Sequence, residues 1–262
     1  MNYKYKLGFI GCGNMAKAII NGLLDSHLLK AEDMYVSTPN INQPYRGITF
    51  TNNNHDIMSL CEYVVLAIKP QIFKEISESF TNNNCKCVIS IMAGVNSDTI
   101  AKVCNCHQVV RIMPNTPCSI GEGVSAITSF NADAESNDFV ESIFKTISKV
   151  VRVEEKYFDA VTSISGSGPA YVYYFIKAMI DGGIKGGLSF EQSKELTIAT
   201  MIGASKMVAN SSEDLDVLIQ KVCSKGGTTI QAIDTFREKS VDKTIIEGID
   251  KCRKRSEELS KA

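Results

Sequence analysis

The segment Leu7-Gly8-Phe9-Ile10-Gly11-Cys12-Gly13-Asn14-Met15-Ala16 spaces Gly11, Gly13 and Ala16 as G-x-G-x-x-A. In such a segment the first glycine makes the tight turn from strand to helix. The second lets the backbone approach a pyrophosphate, and the small third residue lets the helix pack on the strand. Amide groups at the helix start then hold the phosphates. The next strand runs into Ser37-Thr38-Pro39-Asn40, with no Asp or Glu to hold a ribose 2′-hydroxyl. The Ser37 and Thr38 hydroxyls can donate to a 2′-phosphate, which favours NADPH and leaves NADH possible.

Other segments carry chemistry less specifically. Lys69-Pro70 ends the apolar run Val64 to Ile68, and Met113-Pro114-Asn115-Thr116-Pro117 ends another. In a doubly wound sheet, ligands collect at the carboxyl ends of strands. Lys69 therefore reads either as a phosphate or ribose contact or as a solvated lysine before a helix. Asn115 offers both donor and acceptor groups. Ser165-Gly166-Ser167-Gly168-Pro169-Ala170 reads as a helix start with Gly168 at the cap and Pro169 first in the helix. Ser224-Lys225-Gly226-Gly227-Thr228-Thr229 reads as a helix cap or as a nest for a carboxylate.

Metal and triad chemistry find little support. Cys85-Lys86-Cys87 and Cys104-Asn105-Cys106-His107 use C-x-C spacing, shorter than the spacing of structural zinc sites. They read as small hydrophobes beside strands. His27, His55 and His107 sit in dissimilar contexts and form no Ser/His/Asp or Cys/His set. No metal is expected.

The elements that must position these residues change character along the chain. Apolar runs at Lys6–Ile10, Met34–Ser37, Tyr63–Ile68, Cys87–Met92 and Val109–Met113 alternate with amphipathic stretches at Asn14–Leu24, Asp56–Cys61, Ile72–Phe80 and Ser97–Cys104. That alternation predicts βαβ units and a parallel sheet buried on both faces. A helix over Ala134–Lys149 is expected to close the domain. Beyond Tyr157 the periods are helical, with a capping box at Ser189 and Gln192 opening a helix over Phe190–Ala209. Tyr171-Val172-Tyr173-Tyr174-Phe175-Ile176 is apolar all round, so a helix there is expected to be buried between subunits.

The chain has 262 residues and a net charge of −1. Its near-neutral charge lacks the basic field of a nucleic-acid binder. No apolar run reaches the roughly 20 residues that span a bilayer. MNYKYK has neither an apolar h-region nor an Arg-rich transit pattern. Nine scattered cysteines fit free thiols in a reducing compartment. A cytoplasmic protein is expected, with the sequon at Asn210-Ser211-Ser212 unmodified. Lys251 to Arg255 reads as a solvated helix end rather than a localisation signal.

Together these segments resemble the pyrroline-5-carboxylate reductase family along almost the whole chain. GFIGCGNMAKAI looks like its nucleotide-binding start. Ala67-Ile68-Lys69-Pro70-Gln71 and Arg111 to Pro117 match its strand-end motifs. Asp159 to Thr162, Ser165 to Tyr171, Asp181-Gly182-Gly183 with Gly187-Leu188, and Cys223 to Thr229 are similar to its helical domain. Lys225 departs from the proline usual in its S-P-G-G-T-T loop.

The resemblance implies an N-terminal Rossmann-type doubly wound sheet over residues 1–154. An all-helical substrate and dimerisation domain would follow over 155–262. It implies NADPH-dependent reduction of 1-pyrroline-5-carboxylate to L-proline, the last step of proline biosynthesis, in a homodimer or larger assembly with substrate between subunits. Nucleotide contacts would come from Gly11, Cys12, Gly13, Asn14 and Met15, then from Ser37, Thr38 and Asn54. Ala67, Ile68, Lys69, Pro70, Ala93 and Asn115 would supply the rest. Substrate contacts would come from Ser165, Ser167, Gly226, Gly227, Thr228 and Thr229, with the Thr229 hydroxyl as the catalytic group facing the ring nitrogen. Two rivals remain. A β-hydroxyacid dehydrogenase would need K-x-x-N, which Lys177-Ala178-Met179-Ile180 and Lys185-Gly186-Gly187-Leu188 lack. A non-catalytic NADP-binding sensor would not need the two substrate loops.

Overall fold

The computed structural model describes residues 3–39, 45–80 and 83–261. Asn40, the end of the expected Ser37–Asn40 segment, lies outside them. By internal contacts the chain divides into two compact units. One runs through Ser167 and includes the segment from Cys252 onward; the other is Gly168–Lys251.

The first unit alternates strands and helices. Strands β1 (Tyr5–Ile10), β2 (Met34–Ser37), β3 (Thr49–Thr51), β4 (Cys61–Leu66), β5 (Cys87–Ser90) and β6 (Gln108–Met113) pair in parallel in the order 3-2-1-4-5-6. Strand order reverses between β1 and β4, which makes the crevice at their carboxyl ends the switch point where such sheets bind ligands. β7 (Gly123–Phe130) then pairs antiparallel with β6, and β8 (Ser148–Arg152) pairs parallel with β7.

Helices cover both faces, so successive strand residues serve two cores. Phe9, Tyr63, Val65, Ile89 and Val110 join Ile19, Ile20 and Leu23 of α1 (Asn14–Asp25) and Val140 and Phe144 of α5 (Ala134–Lys145). Ile10, Val64, Leu66, Val88 and Val109 join residues of α2 (Asn54–Leu60), α3 (Pro70–Glu75) and α4 (Ser97–Val103). The strands are apolar at nearly every position for this reason.

The helix expected to reach Lys149 stops at Lys145, and Lys149 lies in β8. Thr146 and Ser148 turn their hydroxyls onto the carbonyls of Ile143 and Phe144, which favours ending the helix there. The stretch expected as one helix over Ile72–Phe80 is α3 followed by a separate 3₁₀ turn over Ser77–Phe80.

A short helix, α6 (Phe158–Val161), continues into a π-helical turn over Thr162–Gly166. The first unit thus extends past the expected boundary at 154/155. Arg111 of β6 donates to Glu155 Oε1 at 2.7 Å, and its guanidinium lies over the Phe158 ring at 4.7 Å. Those contacts bind the segment after residue 154 to the sheet.

The second unit is helical throughout. It contains α7 (Gly168–Lys185), α8 (Phe190–Ala209), α9 (Leu215–Val222), α10 (Thr228–Glu238) and the start of α11 (Val241–Lys261). The expected α8 and its capping box are present: Gln192 N–H donates to Ser189 Oγ at 3.1 Å, and Ser189 N–H to Gln192 Oε1 at 3.0 Å. α7 begins at Gly168, one residue before the expected Pro169 start. Ser193 Oγ donates to the Ile180 carbonyl at 2.8 Å, and Gly183 leaves room for that approach. Within α7 only Ile180 is buried in a single chain, whereas Tyr173 is 60% and Tyr174 75% exposed. An apolar face of that size on one subunit marks an interaction surface.

Candidate active site

The expected nucleotide residues gather along one sheet edge. Gly11 follows β1, Thr38 follows β2, Ala67 follows β4, Ala93 lies in the turn after β5 and Asn115 just beyond β6. The hydrogen-bond ladder continues past the strand ends. Gly11 N–H donates to Ser37 O at 2.8 Å, Ala67 N–H to Ile10 O at 2.9 Å, and Thr38 N–H to Thr51 O at 3.0 Å. The loops at this edge are therefore held at fixed spacing before any ligand arrives.

Gly11 has φ +97, and a Cβ there would overlap the Ala67 carbonyl. Gly13 differs: a Cβ there would meet no heavy atom within 4 Å. The space beside Gly13 is open, as close backbone approach by a diphosphate requires. Gly13 caps α1 without a side-chain hydrogen bond, and the first turn holds no acidic residue. Its amides remain for an anion, with the helix dipole favouring negative charge. Burial pushes the Cys12 thiol up, so it stays neutral beside such an anion. Ala16 is buried and lets α1 lie close to the sheet. Asn14 and Met15 open α1.

Ser37 is 2% exposed and gives its proton to Asn54 Oδ1 at 2.6 Å. Its hydroxyl thus positions the first residue of α2 instead of donating outward. Thr38, just beyond the end of β2, is half-buried. Lys69 is exposed and caps α3, with Pro70 first in the helix and Ile68 half-buried before it. Asn115 Oδ1 accepts from Val124 N–H at 3.0 Å, which fixes the amide and leaves its NH₂ as the donor for a ligand.

Ser165 Oγ donates to the Val161 carbonyl at 3.0 Å, so its proton is spent inside the π-helical turn. Ser167 Oγ accepts from Cys252 Sγ at 3.3 Å and keeps its own proton. Ser256 Oγ, in the last turns of α11, donates to Asp159 Oδ1 at 2.6 Å. The sequence gives no sign of these last two contacts, whose partners lie far apart along the chain.

In the helical unit, Gly227 N–H donates to Ser224 O at 3.0 Å, and Gly226 has φ +72. Lys225 does not have positive φ, so Ser224–Gly227 is a type II turn with Gly226 in its required third place. The turn forms with Lys225 where the resembled loop has proline. Gly227 then caps α10 without a side-chain bond, and Thr228 and Thr229 occupy its first turn. Their amides lack intrahelical acceptors, which suits a carboxylate. Thr228 is exposed and Thr229 half-buried.

Among the described residues no cluster of three or more His, Cys, Asp or Glu could hold a metal, and no helix is long and apolar enough to cross a membrane. All nine cysteines are free.

The 3-2-1-4-5-6 sheet, the glycine turn at its switch point and the uncapped helix start define a dinucleotide-binding oxidoreductase class. Residues 6–94 match the family described as NADP oxidoreductase, coenzyme F420-dependent, and residues 155–259 match pyrroline-5-carboxylate reductase dimerisation. The chain is 34% identical to the pyrroline-5-carboxylate reductase of Escherichia coli strain K12, over 98% of this chain and 99% of that one. It is 34% identical to that of Glycine max, over 98% and 96%. A crystal structure of the Plasmodium falciparum pyrroline carboxylate reductase with NADP bound superposes with a TM-score of 0.87 at 30% identity, covering 99% of this chain and 100% of that one. The chain belongs to the pyrroline-5-carboxylate reductase family.

Proposed function

We propose that the protein reduces the C=N bond of 1-pyrroline-5-carboxylate to give L-proline, with NADPH preferred over NADH, in a cytoplasmic homodimer or an assembly of dimers. The observation that carries this reading is the match to curated reductases over 98% of the chain. The open space at Gly13 and the uncapped start of α1 fit a dinucleotide diphosphate. We assign nucleotide binding to residues 1–154 and substrate binding and dimerisation to 155–262. The dimerisation match from residue 155 supports the division, although the segment from Cys252 belongs to the first compact unit.

The bound nicotinamide supplies the hydride to the imine carbon. The chain must bind, orient and handle one proton. The amides of α1 hold the diphosphate beside Gly13, and Thr38 donates to the 2′-phosphate while Ser37 holds Asn54. Lys69, following Ala67 and Ile68, adds positive charge at the switch point, and Asn115 donates through its NH₂. The amides from Gly226 to Thr229 hold the substrate carboxylate, and the Thr229 hydroxyl hydrogen-bonds the ring nitrogen and favours its protonated form. Ser167 is a further donor; Ser165 serves only if it gives up its bond to Val161. A protonated imine is already electrophilic, so the reaction needs no metal or nucleophile.

The exposed apolar side of α7 supports association of identical chains. The test is NADPH and NADH oxidation with pyrroline-5-carboxylate, beside a β-hydroxyacid, with light scattering on the same sample. Imine-dependent turnover by an oligomer is expected. Nucleotide binding without imine turnover would make the protein a sensor, and turnover of the hydroxyacid alone would overturn the substrate.

A further inference from the structure

The edge of the sheet opposite the nucleotide loops carries five cysteines: Cys61 at the start of β4, then Cys85, Cys87, Cys104 and Cys106. Cys85 lies two residues before Cys87 at the start of β5, and Cys106 two residues before Gln108 at the start of β6. Cys87 stands opposite Gln108 in the parallel register, so the same register carried back two residues sets Cys85 against Cys106. The Sγ atoms are 3.9 Å apart. Neighbouring strands run about 4.8 Å apart, within the backbone spacing that a disulfide bridges. Asn83 fastens the two loops together: its Nδ2 donates to Cys104 O at 2.6 Å, and its Oδ1 accepts from Cys85 N–H at 2.6 Å.

We propose that Cys85 and Cys106 are a reversible dithiol–disulfide pair oxidised by small hydroperoxides. The five thiols are unequal. A hydrogen bond from Cys85 lowers the pKa of Cys106, against the opposing effect of burial. That same bond, together with burial, raises Cys85. Burial pushes Cys61, Cys87 and Cys104 up, which keeps them as inert thiols. Cys85 is half-buried and Cys106 is 5% exposed, so a small oxidant suits the pair better than a bulky disulfide.

Cys106, whose thiol donates to Gln108 O at 3.3 Å in the resting pair, gives up its proton, and the thiolate attacks one peroxide oxygen. The S–O bond forms, the O–O bond breaks, and the departing hydroxide takes up a proton and leaves as water. Cys85 then gives up its proton and attacks the Cys106 sulfur. The S–S bond forms, the S–O bond breaks, and a second water leaves. Two thiols are oxidised and one hydroperoxide is reduced.

The full chain is treated with near-stoichiometric hydrogen peroxide, digested without reductant and mapped by mass spectrometry. A Cys85–Cys106 cross-link that dithiothreitol reverses is expected, with Cys61, Cys87 and Cys104 still free. Cys85→Ser should lose the cross-link, leave a dimedone-reactive sulfenic acid on Cys106, and keep wild-type turnover as proof of folding. Cys106→Ser should leave Cys85 unoxidised at the same dose. Free thiols at both positions after other cysteines have oxidised would overturn the proposal, as would a cross-link that forms only once the protein is unfolded.

Discussion

The left-handed backbone of Gly11 faces the Ala67 carbonyl so closely that a side-chain carbon at Gly11 would overlap it, while the same carbon at Gly13 would meet nothing. The two glycines of one motif therefore answer to different constraints. Gly11 is required by the fold at the switch point. Gly13 is required by whatever comes to lie beside it.

Their substitutions should separate accordingly. Gly11→Ala should cost about 2–4 kcal/mol of stability, from positive φ and overlap with backbone. Gly13→Val should unfold like the wild type yet lose NADPH affinity by ~100-fold or more. Thermal unfolding and fluorescence titration read the two. Wild-type NADPH binding by Gly13→Val would remove the diphosphate from this turn.

Nucleotide choice should respond at Thr38 more cleanly than at Ser37. Ser37→Asp would bury a carboxylate against Asn54 Oδ1, so it would damage the fold as well as repel a phosphate. Thr38→Asp is half-exposed and should lower the ratio of NADPH to NADH specificity constants by ~10- to 100-fold, about 1.4–2.7 kcal/mol. An unchanged ratio would show that Thr38 does not read the 2′ position.

The central strands and the glycine turn were legible because their physics is local. Strands buried on both faces must be apolar at most positions, and β1, β2, β4, β5 and β6 are, with polar residues such as Lys6, Ser37, Glu62, Ser90 and Gln108 near their ends. β3 has three residues with Thr49 exposed, and β7 interleaves Ser125, Thr128 and Ser129 with its apolar positions. β8 carries two valines after a helix, a pattern that fits either period. The site was legible as a set of loops. Its internal commitments were not, because the bonds from Ser37 to Asn54 and from Ser256 to Asp159 join residues distant in sequence.

Arg111 and Glu155 give a pH-dependent contribution. Burial works against charge on Glu155, but the hydrogen bond from Arg111 and that from Ser97 N–H, each 2.7 Å, outweigh it and lower its pKa. A carboxyl lowered on folding stabilises above its unfolded value, about 4.3, and loses that stabilisation as pH falls through its folded value. Glu155→Gln should cost ~1–3 kcal/mol at neutral pH, since Arg111 is then buried without its counter-charge. The deficit in urea unfolding should shrink toward pH 3. A deficit constant across pH would reduce Glu155 to a packing residue.

The turn at Lys225 gives a test in the stabilising direction. Type II turns favour proline at the second position, which Lys225 holds. Lys225→Pro should stabilise the native turn by about 0.4–1 kcal/mol through the unfolded state. It should lower KM for the imine acid with little change in KM for NADPH. Hydrogen exchange at Gly226 to Thr229 should slow. Faster exchange there would mean that the turn depends on the Lys225 amide.

Thr229 sits second in α10 behind a glycine cap that supplies no side-chain bond, so this helix start keeps its amides and the threonine hydroxyl for a ligand. With the carboxylate held by the amides, the hydroxyl is free to act at the ring nitrogen. Thr229→Ala should therefore lower kcat by roughly 10- to 300-fold, equivalent to ~1.4–3.4 kcal/mol. NADPH affinity should barely change, because Thr229 lies outside the nucleotide unit. The deficit should shrink at low pH, where more of the imine arrives protonated and needs less help. A residue that only starts the helix would show a small loss of stability and normal turnover at every pH. Steady-state kinetics across pH, alongside thermal unfolding of the same variant, separate the two. Wild-type kcat at neutral pH would take the proton role from Thr229 while leaving the Gly226–Gly227 carboxylate anchor standing.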